Sequence, residues 1–214
     1  MSYLYRCSSS LANEQQDVYE DLWNMNIDIA NKTFLTDFIQ QMQNNTLKAE
    51  RYLNFTLQDV SYLIEVTDML KIMSKKVKKP KDISAFLTGR YTSYKNFLDY
   101  LMGQYLFKET ASIKPAPAMK KYLANYRAVM VKDPIYFAVA LLPCSRLWAW
   151  LADNLRINNT NVYYSWKIDN MGGNHEKHYK VLLNKYLNTT VKVNNAKTLF
   201  RMQMQNEHDF FATS

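Results

Sequence analysis

Two cysteines, three histidines, four glycines and five prolines in 214 residues exclude several kinds of protein at once. Cys7 and Cys144 are too few for a disulfide framework, which points to a reducing compartment. Four glycines leave no phosphate loop and no dinucleotide fingerprint. Helix-bundle di-iron sites need Glu and His ligands from several helices, and three histidines, two of them clustered at His175 and His178, do not supply the set. That pair is spaced i, i+3 rather than the i, i+4 of a zinc-protease helix and follows Gly172 and Gly173, so it is expected to form an exposed first turn rather than a metal site. No stretch approaches 18 uninterrupted apolar residues, and the N-terminus lacks the charged start and apolar run of a secretory signal. A cytoplasmic protein without a membrane span is expected. The five sequons, at Asn31, Asn44, Asn54, Asn158 and Asn188, then carry no glycan, since an Asn-rich chain produces such triplets by chance.

What is present is a 48% hydrophobic chain with a formal charge of +8, enough for a full core. The run from Lys75 to Lys81 follows a long helical pattern and precedes or includes Pro80. Its lysines complement the negative end of a helix and form a solvated turn, so no nucleic-acid partner is inferred. Period-3.6 patterns dominate and no strand pair stands out, which predicts an all-α fold. Nine helices are expected, at about 12–31, 34–44, 47–76, 82–107, 116–131, 134–156, 161–170, 175–187 and 193–212. Together they make one domain over 12–214 behind a frayed leader at 1–11. Pro143 falls inside the sixth helix and should kink it, freeing the carbonyl of Val139.

Three apolar stripes each carry one chemically interesting residue. Cys144 lies on the stripe Phe137, Leu141, Trp148, Leu151; Asp59 lies among Phe55, Tyr62, Val66 and Met69; Glu207 follows Phe200 and Met204 and precedes Phe211. A free cysteine on such a face is commonly an inert small hydrophobe. The two acids weigh against that here, because a buried carboxylate without a partner costs several kcal/mol. Either acid could instead pair with an arginine such as Arg146, and Tyr62 and Trp148 could be ordinary core. Taken together, a thiol and two acids describe a candidate pocket. A thiolate adds to an electron-poor carbon while a carboxylic acid supplies and recovers a proton. Protease chemistry would want a histidine beside the thiol, and the sequence suggests none. Tyr62 and Trp148, one turn from Asp59 and Cys144, suit a flat heteroaromatic ligand. A catalytic thiol is expected to alkylate readily near neutral pH.

These residues resemble the TenA family, the thiaminase II group of the haem-oxygenase-like fold. The likeness rests on Phe38 through Leu47 followed by Tyr52 through Leu63, which resembles a Phe, a Gly-Thr-Leu-like turn and Tyr-x-x-Gln-Asp-x-x-Tyr-Leu; on Ala140-Leu-Leu-Pro-Cys144 with Trp148; and on Glu207-His-Asp-Phe-Phe211. It implies a haem-oxygenase-like helical bundle of eight or nine helices that binds a 4-amino-5-methylpyrimidine without a cofactor. In that reading Asp59 bonds the aminopyrimidine, Tyr62 and Trp148 lie against its faces, Cys144 attacks the ring and Glu207 shuttles the proton. The leaving group is the thiazole of thiamin or an amino group, and the acceptor is water or, in a thiaminase I-type outcome, an organic base. No histidine lies in the early helices, where haem oxygenases hold their haem. Family members are commonly tetramers, so a homo-oligomer is expected.

Some positions depart from the family pattern. An ungapped alignment puts Lys121 where the family has a pocket Tyr, with Tyr122 one position off, and Asn170 stands four residues after Trp166 where a Tyr is usual. Asn45 replaces the Gly of the early turn, and Lys32-Thr33-Phe34 replaces His-Pro-Phe. The altered wall also suits a non-catalytic protein that binds a small aromatic ligand in the same pocket.

Overall fold

The computed structural model describes residues 16–104 and 113–214. Cys7 and the expected leader at 1–11 lie outside the described residues, as do the start of the first expected helix and the end of the fourth. The described chain forms ten helices: α1 Val18–Asn24, α2 Ile27–Phe34, α3 Asp37–Gln43, α4 Ala49–Lys76, α5 Lys81–Gln104, α6 Pro117–Val129, α7 Ile135–Asn154, α8 Tyr164–Asn170, α9 His175–Tyr186 and α10 Thr190–Thr213. No strand occurs among the described residues.

The tenth helix arises because the first expected helix is broken. Asn26 is buried with φ −127°, and its amide side chain donates to the carbonyl of Leu22 at 2.8 Å while accepting from Arg201 at 3.1 Å. A side chain that satisfies the last turn of α1 replaces the continuing helix bond. Nothing in the local sequence resembles a Gly or Pro break, so periodicity ran through it. The turn between α3 and α4 does follow its sequence signal: Asn45 takes φ 56°, a left-handed conformation that asparagine tolerates better than most residues.

The three long helices with the marked stripes meet in the centre. α10 packs against α7, α6, α2 and α1; α4 packs against α5 and α6; α7 also touches α8 and α9. α7 is long and apolar enough to span a membrane by length and composition, but most of it is buried by its neighbours, as befits the central helix of a bundle. Pro143 leaves α7 unbroken from Ile135 to Asn154, and the side-chain donor to this stretch, Tyr126, goes to Ala140 rather than to Val139. The lysines at the end of α4 are exposed, in the last helical turn and the loop beyond it.

Candidate active site

Asp59, Tyr62, Cys144 and Trp148 line one cavity of about 330 Å³. α4 supplies the first two and α7 the last two, each pair one turn apart on its buried stripe. α5 adds Arg90, Tyr94 and Phe97 from one face, and the start of α9 adds His175 and His178. A smaller cavity of about 200 Å³ adjoins it and shares Asp59, Phe97 and Trp148, so the indole is a wall common to both.

Glu207 stands behind this wall, only 1% exposed. One carboxyl oxygen accepts from the indole Nε1–H of Trp148 at 2.9 Å, and the other accepts from the hydroxyl of Tyr122. Tyr122 continues into a chain of buried phenols: its hydroxyl lies 3.4 Å from that of Tyr126, which lies 2.9 Å from that of Tyr62. The ring planes of Tyr62 and Tyr122 stack at 5.2 Å. Cys144 lies near enough to Glu207 and to the hydroxyls of Tyr62 and Tyr94 for each of them to influence its proton affinity.

Burial governs the proton affinities here. It raises Glu207 to about 7 against the opposing hydrogen bonds from Tyr122, Trp148 and Cys144. Asp59 rises to about 8, from burial first and the nearby charge of Glu207 second. Burial also pushes the Cys144 thiol well up, reinforced by the negative charge of Glu207 and only partly offset by Tyr62. A thiol so placed is not a standing thiolate, so ready alkylation near neutral pH does not fit this site.

One alternative for the acids, a pairing with Arg146, is not what the arrangement shows. Arg146 pairs with Glu20 at 2.6 Å and lies over Tyr19 and Trp23, away from both Asp59 and Glu207. Among the described residues no group of three or more His, Cys, Asp or Glu side chains gathers as a metal site. The histidine pair is not simply an exposed turn: His175 is half-buried against Tyr19, and both rings line the cavity.

The expected departure at Lys121 is also corrected. Lys121 is exposed and pairs with Asp209 at 2.9 Å, while Tyr122 turns inward to Glu207. Lys121 therefore does not stand in the buried site, and the neighbouring phenol does. The buried series Met119, Tyr122, Leu123, Tyr126, Val129 carried the signal for both tyrosines, but phenols on an apolar stripe read as core. Asn170 does line the cavity, its amide donating to the carbonyl of Trp166 at 2.8 Å. Tyr94 and Arg90 were missed altogether, because the moderately patterned α5 gives no reason to single them out.

The course of these helices follows solved TenA proteins along nearly their whole length. A TenA homologue from P. horikoshii superposes with a TM-score of 0.78 at 20% identity, covering 92% of this chain and 97% of that one. The chain has the TenA fold. Another TenA homologue, from Pyrococcus furiosus, gives 0.75 at 16% identity over 91% of this chain and 98% of its own. A protein described as a TenA family transcription regulator, from Silicibacter, gives 0.79 at 13% identity over 93% and 96%. The wider relationship reaches a cyanobacterial haem oxygenase-1 in complex with haem, at 0.61 and 12% identity over 92% of each chain. This chain has no histidine before position 175, so the early helices of its TenA fold offer a haem no axial nitrogen. No protein-family model and no curated protein matches the sequence.

Proposed function

We propose that this protein is a cytoplasmic, cofactor-free enzyme of the thiaminase type, which cleaves thiamin or a related aminopyrimidine at the methylene joining the ring to its leaving group. The observation that carries this reading is the convergence of Cys144, Asp59 and Trp148 on one cavity, with Glu207 bonded to the indole and near enough to the thiol for each to influence the other's proton affinity. A homo-oligomeric state belongs to the same proposal.

The roles follow from the proton affinities. Asp59, protonated below about pH 8, presents a donor and an acceptor to the amino group and ring nitrogen of the pyrimidine. Glu207 as carboxylate takes the thiol proton while sulfur bonds to a ring carbon, and returns that proton to the ring nitrogen. The leaving group departs with its bonding pair and an exocyclic double bond forms. Water adds to that carbon, its extra proton leaving with the expelled group, and loss of the thiol through the reverse proton transfer restores the ring. An organic base in place of water gives the base adduct by the same steps. Tyr62 and Trp148 hold the flat ring between them.

The test is incubation with thiamin, alone and with pyridine or aniline, following pyrimidine products by mass spectrometry. Hydroxymethylpyrimidine in water is the hydrolase result, and a base adduct with little hydrolysis is the transferase result. Cys144→Ser should abolish either while the helical spectrum is unchanged. No cleavage of thiamin or of aminomethylpyrimidine would leave the second reading, a small-aromatic binding protein, which the high proton affinity of the thiol favours.

A further inference from the structure

Arg90 differs from four other arginines of the chain. Arg51, Arg127, Arg146 and Arg201 each pair with a carboxylate. Arg90, half-buried in the cavity wall, meets only neutral hydroxyls among the described residues: that of Ser93 at 3.4 Å and that of Tyr179. A guanidinium that lines a cavity without an acid is matched to a ligand that brings one. The surroundings agree. Ser93, Ser145, Asn174 and His178 line the same cavity and offer hydrogen-bond donors. The carboxylate on this cavity's rim, Asp169, is engaged by Tyr100, and Arg90 is not among the groups that influence it.

Space permits two-point recognition. The cavity exceeds what one methylated aminopyrimidine fills, and Cys144, Asp59 and Trp148 account for only part of its lining. Resting on the reading above for the ring, we propose that the Arg90 side of the rim is a subsite for a phosphate ester, so that the preferred substrates are phosphorylated. The ester belongs either to the pyrimidine or to the leaving group, and both present the same oxyanion. Arg90 binds it with a bidentate pair of N–H donors, and Ser93 and His178 complete the shell.

The test is calorimetric titration of Cys144→Ser protein, which cannot turn over, with hydroxymethylpyrimidine, its phosphate, thiamin and thiamin monophosphate. At least one phosphorylated ligand should bind about tenfold tighter than its unphosphorylated partner, the scale of one charge-assisted pair. Arg90→Gln added to that protein should remove the advantage and leave the unphosphorylated ligand within about twofold. Arg90→Lys should keep part of the advantage, which separates lost charge from lost folding. A gain with hydroxymethylpyrimidine phosphate places the oxyanion on the pyrimidine; a gain confined to thiamin monophosphate places it on the leaving group. Equal affinities throughout, or an advantage that survives Arg90→Gln, overturn the subsite while the thiaminase reading stands. If no ring binds, that reading fails and inorganic pyrophosphate decides the subsite: binding that Arg90→Gln abolishes supports it, and no binding overturns it.

Discussion

The hydroxyl of Tyr126 donates to the carbonyl of Ala140 at 3.1 Å, one helical turn before Cys144. The same hydroxyl touches those of Tyr62 and Tyr122, and Tyr122 in turn holds Glu207. One buried phenol thus ties α6 to the helix that carries Cys144, to the cavity wall on α4 and, through Tyr122, to the acid on α10. The acid and the thiol keep their register because they share this anchor rather than because they share a helix.

The proposed role of Glu207 makes the proposed reaction pH-dependent. Glu207 must be ionised to take the thiol proton, so kcat/KM should rise as pH passes about 7. Glu207→Gln should lower it by roughly 10²- to 10⁴-fold and remove that rising limb. A pH profile of thiamin cleavage by the two proteins checks this, and an unchanged limb in the variant would assign the proton transfer elsewhere.

The phenols should tune that limb. The bond from Tyr122 favours the ionised carboxyl, so Tyr122→Phe should shift the limb to higher pH. Tyr126→Phe leaves that bond in place; it should shift the limb less while costing about 1 kcal/mol of stability for the lost bond to Ala140. Parallel pH profiles and denaturant melts separate the two effects. Equal shifts would mean that the chain acts as one unit.

Stability should fall as pH rises from about 4 to above 8. Both Asp59 and Glu207 bind protons more tightly folded than unfolded, so their contribution is fully present below their ordinary values of 3.8 and 4.5 and is lost as pH passes through about 7 and 8. Guanidinium midpoints at pH 5, 7 and 9 should decline in order, and Asp59→Asn should flatten the trend by removing the larger shift. A midpoint that climbs with pH would contradict the burial of these acids.

The long helices and the chemical residues on them were legible because burial writes a period into the sequence. Asp59, Cys144 and Glu207 each interrupt an apolar stripe, and an interruption is visible. Tyr122 and Tyr126 continue their stripe, so nothing marked them as polar partners of a buried acid until α6 was seen against α10. Arg90 lay on the mixed face of α5, where a charge is unremarkable without knowledge of what it fails to pair with. The break at Asn26 is made by a side-chain bond to Leu22 that Arg201, far along the chain, also braces, and no Gly or Pro marks it in the sequence.

The placement of Glu207 on α10, after every other member of the site in chain order, also sets a sequence of events during synthesis. The segment bearing Cys144 leaves the ribosome well before the segment bearing its proton acceptor. Until α10 docks against α6 and α7, the thiol has no base and the indole of Trp148 has no anchor. In the proposed reaction, transfer of the thiol proton to Glu207 is therefore available only once α10 has docked.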